Sequence, residues 1–216
     1  HIIDNSTSAD HGDPILVVGH YYSDKPPDPS LITAHLNYTL HLFGLDLDYG
    51  WSLTYYLIIL FSIKLFWLAG VFAFRASLRY TGQPEAYTNW HVLIFAFASL
   101  LFAWSSSFNN HSLAASSLMI GFMFYLNGIH SKLQFSMFYT GLLIGLSGDM
   151  DMPKSIFRLG FVYLIFRKGS KDQIIKFALG ASIPMGIHFA INYYIGNTMW
   201  PLQTVPEFFE YEGSVW

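Results

Sequence analysis

The chain contains no cysteine and few charged residues. None of its 216 residues is Cys, and only 12% are Asp, Glu, Lys or Arg. Without thiols it can form neither a disulfide framework nor a thiolate metal site. The low charge, a 53% share of hydrophobic residues and a mean hydropathy of +0.37 exclude an ordinary soluble domain. The nine histidines are scattered, and their spacing predicts no metal site.

Six apolar runs predict the fold: 53–74, 90–104, 113–126, 133–147, 156–166 and 174–195. A membrane-spanning helix needs ~20 residues, so the shorter runs must include polar neighbours or lie among other helices. We therefore expect an all-α protein whose polytopic transmembrane bundle of about six spans occupies 53–195. A polar noncytoplasmic loop over 1–52 precedes it, and another begins at 196–216. The chain opens without Met or a first apolar segment, so we expect an excerpt of a longer protein.

Basic residues predict the orientation of the bundle. Starting outside, six spans place most of the cations on one side, which the positive-inside rule makes cytoplasmic. These cations are Arg75, Arg79, Lys132, Arg167, Lys168, Lys171 and Lys176. The other side is rich in Asp and Glu and holds nearly all the unusual polar residues, so function is expected there. The cations form no stripe suited to nucleic acid, and membrane lipids are the expected surroundings.

A rigid turn next to a short helix is the most informative segment. Lys25 is followed by Pro26 and Pro27, whose fixed φ angles hold a lone cation where it can meet a phosphate at the lipid headgroup level. Residues 28–44 then predict a helix with Asp28 as its cap and Gly44 as its stop. That helix is too short to span, so we expect it to lie along the outer leaflet as an interfacial helix. A plain connecting loop also explains the pattern.

Polar residues in the short turns are the next candidates. Asn109, Asn110 and His111 lie between two apolar runs and face either an outer cleft or structural hydrogen-bond partners. Arg158 lies about one turn into the following helix, where a cation is costly unless it is paired or faces water. Asp149 or Asp151 is its natural partner, and a structural pair explains them as well as catalysis does.

The ordered segments 20–27, 107–111, 141–153 and 211–214 give the chain its family likeness. The first contains Tyr-Tyr-Ser-Asp-Lys-Pro-Pro, and the second reads Ser-Phe-Asn-Asn-His. Together they resemble integral-membrane GT-C glycosyltransferases of the aminoarabinose-transferase and protein mannosyltransferase type. The resemblance covers most of the chain. It implies an enzyme of the bacterial inner membrane whose noncytoplasmic face moves a sugar from a polyprenyl-phosphate donor to a hydroxyl of a lipid, glycan or protein acceptor.

The resemblance also implies roles for individual residues. Lys25 and Tyr22 would contact the donor phosphate, where the cation stabilises charge as the glycosidic bond breaks. Catalytic carboxylates would come from the first loop, and the candidates are Asp24, Asp13 and Asp10. The substrate cleft would be lined by Asn109, Asn110, His111, Asp151 and Arg158. The resemblance implies no particular cofactor, although a divalent cation could bridge an outer acid and the donor phosphate.

Two other functions fit parts of the sequence. A secondary transporter is suggested by Pro184, which predicts a kink in the last span, and by the intramembrane charges Lys64 and Arg158. A noncatalytic lipid-binding membrane subunit would share the Lys25 turn without carrying out chemistry.

Overall fold

The computed structural model describes residues 14–23, 25–47, 52–130 and 133–210, and these are mostly helical, as the sequence predicts. The candidate carboxylates Asp10, Asp13 and Asp24 lie outside the described residues. Their catalytic roles therefore stay predictions.

A hairpin that we did not predict comes first. Strands β1 (Pro14–Val17) and β2 (His20–Ser23) pair antiparallel, with Ile15 opposite Tyr22. Ile15, Val17 and Leu202 are buried together, and Phe208 packs against them. The tail of the chain therefore covers the hairpin, and Phe208 is a packing residue of this small core.

Helix α1 (Asp28–Leu42) follows the Lys25 turn. The predicted stop is confirmed: Gly44 has φ +75°, and its N–H donates to the carbonyl of His41 at 2.9 Å while Leu45 donates to Leu40 at 3.1 Å. These are the two bonds of a Schellman motif. The prediction of Asp28 as the cap is wrong. Pro27 occupies the cap position without a side-chain bond, and the Asp28 carboxylate accepts a hydrogen bond from a buried imidazole instead.

The remaining helices are α2 (Leu53–Ile58), α3 (Leu65–Leu78), α4 (Glu85–Phe97), α5 (Leu100–Trp104), α6 (Asn110–His130), α7 (Ser136–Met150), α8 (Ser155–Lys168) and α9 (Lys171–Gly196). A π-helical segment joins α2 to α3. Among the described residues, three helices are long and apolar enough to cross a membrane: 53–81, 110–130 and 171–196. The run at 90–104 is broken between α4 and α5, and α7 and α8 are 15 and 14 residues long.

Glycines allow helices α7 and α9 to pack closely against each other. A methyl group added at Gly141 would collide with the backbone carbonyl of Phe177, and one added at Gly180 would collide with that of Phe138. The α7 and α9 backbones therefore meet directly, as small residues permit in membrane bundles. Helix α9 runs unbroken through Pro184, which is buried beside Gly145.

Contacts between helix ends show that α6 runs antiparallel to both α7 and α9. Asn110 at the start of α6 donates to the carbonyl of Met150 at the end of α7, at 2.7 Å. At the opposite end, Gln173 near the start of α9 donates to the carbonyl of Gly128, at 3.4 Å. We call the first of these ends the acidic end. It also contains α1, the 149–158 region and the last turns of α9. The other, with 75–85 and 167–176, is the basic end.

Candidate functional site

Lys25 and Tyr22 line the same small pocket at the acidic end. The pocket has a volume of about 40 Å³ and is formed by the β2 strand, the Pro26–Pro27 turn and the first turn of α1, with Ile195 of α9 behind it. The Lys25 side chain is exposed, and its backbone N–H donates to Ser23 Oγ at 3.2 Å. A lysine, a tyrosine and the first turn of a helix thus line one space, and these are groups that can bind a phosphate.

An apolar groove begins on the other side of Ser30. It has a volume of about 290 Å³ and is walled by α1, by α2 and by the turn before α6. Ser30 lines both the pocket and the groove, and Phe108 also lines the groove. The Lys25 pocket is therefore adjacent to a surface that can take a hydrocarbon chain.

A buried contact fixes the N-terminus of α1 to the bundle. Nδ1 of His188 lies 3.1 Å from Oδ2 of Asp28, and both side chains are buried. Pro29 and Thr33 are also buried, whereas most of the later part of α1 is exposed. Helix α1 is thus held by its first turn, three residues after Lys25.

A second, partly buried contact joins α7 to α8. The Arg158 guanidinium donates to Asp149 Oδ1 at 2.7 Å and to the carbonyl of Gly145 at 2.5 Å. The missing side chain of Gly148 makes room for it, since a methyl group there would collide with the guanidinium. Arg158 therefore pairs with Asp149, one of its two predicted partners, and is held by the helix before its own.

The other predicted partner, Asp151, belongs to a separate cluster. Its buried carboxylate accepts hydrogen bonds from His111 Nδ1, at 2.7 Å, and from Lys154. Burial acts to raise the pKa of Asp151, but the hydrogen bonds and charges of Lys154 and His111 outweigh burial and lower the pKa below its ordinary value. Asp151 is therefore ionised near neutral pH.

The two asparagines of the same turn have structural hydrogen bonds. Asn109 accepts from the N–H of Ser112 at 2.9 Å, capping α6, and its amide donates to the carbonyl of Trp104 at 2.5 Å. The side-chain amide of Asn110 donates a hydrogen bond to the carbonyl of Met150. The side chains of Asn109 and Asn110 therefore make structural hydrogen bonds, which is one of the two predicted roles. That they also line a substrate cleft stays a prediction.

The structure thus divides the predicted site residues into groups. Lys25 and Tyr22 share one pocket, His111 and Asp151 share a hydrogen bond, and Arg158 forms an ion pair with Asp149. Sequence reasoning missed His188 and Lys154 as partners. Lys154 had a signal, since it lies three residues after Asp151. The Asp28–His188 contact had none, because 160 residues separate its members.

Within the described residues, no group of three or more His, Asp or Glu side chains is placed to hold a metal ion. A divalent cation held by the donor phosphate stays a prediction. Comparison of the chain with family models, with curated proteins and with solved structures gives no match.

Proposed function

We propose that this protein is an integral-membrane glycosyltransferase that moves a sugar from a polyprenyl-phosphate donor to a hydroxyl acceptor. The observation that carries the proposal is the position of Lys25 and Tyr22 on one pocket beside an apolar groove. A polyprenyl phosphate combines an anionic head with a hydrocarbon chain. The pocket offers the charge, the groove offers the apolar walls, and Ser30 joins them.

The membrane setting rests on the long helices. Much of their apolar surface faces outward, since only 28–44% of their most hydrophobic windows is buried within the protein. Exposed hydrocarbon on this scale is favourable in lipid and costly in water. In this proposal α4 with α5, α7 and α8 complete a bundle of six spans in the bacterial inner membrane. The cations of the basic end then face the cytoplasm, and the acidic end is the noncytoplasmic working face.

The proposed chemistry places charge stabilisation on Lys25. As the bond between the sugar and the phosphate breaks, negative charge grows on the phosphate oxygens, and a nearby ammonium stabilises that charge more than it stabilises the intact donor. Tyr22 donates a further hydrogen bond to the phosphate. Asp24 orients the lysine, and Asp10 and Asp13 are the other carboxylates of the first loop in this proposal.

Sugar transfer by the full-length protein tests the proposal. The protein is reconstituted in lipid nanodiscs with a labelled polyprenyl-phosphate sugar, and wild type is compared with Lys25→Ala and with Lys168→Ala, an exposed cation of the basic end. Losing a charged hydrogen bond worth about 1.5–3 kcal/mol should reduce transfer by Lys25→Ala by roughly 10- to 100-fold. Lys168→Ala should match wild type. Undiminished transfer by Lys25→Ala would remove Lys25 from the mechanism.

A cysteine probe examines the groove separately. Because the chain has no cysteine, Ser30→Cys introduces a single thiol at the boundary of pocket and groove. Polyprenyl phosphate should slow its alkylation, whereas inorganic phosphate should not. Equal alkylation rates with and without the lipid would place the hydrocarbon chain elsewhere.

The same pocket and groove also suit a noncatalytic lipid-binding subunit, which is the second candidate. Saturable binding of polyprenyl phosphate without transfer to any hydroxyl acceptor would identify that function.

A further inference from the structure

His111 and Asp151 form a pair with the geometry of a proton acceptor. The Asp151 side chain is 7% exposed, the His111 side chain is 45% exposed, and 2.7 Å separates the carboxylate Oδ2 from the imidazole Nδ1. A buried carboxylate behind a more accessible imidazole is the arrangement by which a protein fixes the ring and its tautomer.

The hydrogen bond assigns the protons of the ring. An ionised carboxylate only accepts, so Nδ1 of His111 carries the proton that it shares with Asp151. In the neutral imidazole Nε2 then keeps its lone pair. Trp104 packs against the ring, with 4.9 Å between centroids and 36° between planes, and limits its rotation. Lys154 shares Asp151 with the ring and keeps the carboxylate ionised.

Other hydrogen bonds hold the same helices together as well. Asn110 donates to the carbonyl of Met150 at 2.7 Å, and Ser147 Oγ donates to that of Ala114 at 2.7 Å. Lys154 also reaches the carbonyl of His111, at 3.3 Å. Three contacts therefore join α6 to the end of α7 and the turn after it in addition to the pairing of His111 with Asp151.

The pair lies at the acidic end, as the Lys25 pocket and the apolar groove do. Phe108, three residues before His111, lines the groove together with Ser30, and Ser30 also lines the Lys25 pocket. A donor lipid whose phosphate is at Lys25 and whose chain enters the groove is therefore bound at the same end of the bundle as the imidazole.

We propose that His111, oriented by Asp151, is the general base that takes the proton from the acceptor hydroxyl. This inference rests on the proposed glycosyltransferase function. The hydroxyl oxygen attacks the anomeric carbon of the sugar, and its proton passes to Nε2 of His111. The bond between that carbon and the phosphate oxygen breaks, and its electron pair leaves on the polyprenyl phosphate beside Lys25. The imidazolium then returns the proton to water.

Chemical rescue separates this role from a structural one. His111→Ala should lower kcat for transfer by ~10²–10⁴-fold, the range for loss of a general base, with polyprenyl phosphate binding unchanged. Added imidazole should restore part of the lost rate, because it can enter the space left by the ring. Asp151→Asn should lower kcat without gaining from imidazole. His91→Ala, which removes an exposed histidine of α4, should behave as wild type.

Three results would overturn the inference. Wild-type kcat in His111→Ala would exclude the imidazole from chemistry. Loss of transfer together with loss of lipid binding, unrelieved by imidazole, would assign His111 a structural role; His111→Gln repeats the test if the Ala variant does not fold. Absence of transfer by wild type itself, with every hydroxyl acceptor offered, would instead refute the proposed function.

Discussion

The two ends of the bundle both carry arginine–carboxylate pairs, but the pairs differ in burial. At the acidic end Arg158 and Asp149 lie 2.7 Å apart with side chains 18% and 7% exposed. At the basic end Arg75 and Glu85 lie 3.0 Å apart with side chains 35% and 78% exposed. The pair at the acidic end is thus largely removed from water, whereas the pair at the basic end stays solvated.

This difference separates two uses of charge. Solvated cations near a membrane surface influence orientation, and their pairing with acids adds little stability. Buried charges are costly to desolvate and persist only with good partners. The acidic end therefore carries a specific arrangement of side chains, which is the expected property of a binding or catalytic face.

Removing either arginine tests this contrast and should give the largest effect. Arg158→Met leaves Asp149 buried without its cation, and we expect the free energy of unfolding in mixed micelles to fall by about 3–5 kcal/mol. Arg75→Met, the matched control, should cost no more than about 1 kcal/mol.

The double variant Asp149→Asn with Arg158→Met removes both buried charges and should recover much of the loss. Equal costs for the two single arginine variants would show that the ends do not differ as described.

His188→Ala should give the second largest effect. The substitution leaves the buried Asp28 carboxylate without its imidazole partner, which should lower the free energy of unfolding by about 1–3 kcal/mol. Because this contact holds the first turn of α1, Ser30→Cys in the same background should also be alkylated faster. His91→Ala serves as the exposed control. An unchanged alkylation rate would mean that α1 is held by other contacts.

Lowering the pH tests the contribution of Asp151 to the free energy of unfolding, and this is the smallest effect that we expect. Despite burial, the bonds from Lys154 and His111 lower the folded-state pKa of Asp151 below its unfolded value of about 3.9. The ionised carboxylate therefore stabilises the fold above the unfolded-state pKa, and this contribution is lost as the pH falls through the folded-state pKa. Asp151→Asn should flatten the dependence of unfolding free energy on pH in this range.

Asp172→Asn is the control at the basic end, where Asp172 pairs with Lys176 in an exposed contact. It should leave the acid dependence as in wild type. A slope unchanged by Asp151→Asn would contradict the assignment of that stability to Asp151.

Local patterns were enough to predict several of these features. The stop of α1 follows from Gly44, because few other residues adopt positive φ there. The pairing of Arg158 with a nearby acid follows from the cost of an isolated cation in an apolar segment. Lys25 and Tyr22 are only three residues apart, so the sequence was also enough to predict that they lie close together.

Long-range contacts could not be predicted in the same way. Asp28 before Pro29 has the local pattern of a cap, but His188 provides a buried partner that the local sequence does not reveal. The break between α4 and α5 falls inside an apolar run that shows no proline or glycine. The hairpin is stabilised by Leu202 and Phe208 from the far end of the chain.

Direct binding of polyprenyl phosphate to the full-length protein tests the central claim, that Lys25 holds an anionic lipid head at the acidic end. Affinities are measured in nanodiscs for wild type, Lys25→Ala and the basic-end control Lys168→Ala. The account predicts that Lys25→Ala weakens binding by roughly 10-fold or more while Lys168→Ala binds as wild type. Equal affinity of all three proteins would contradict it.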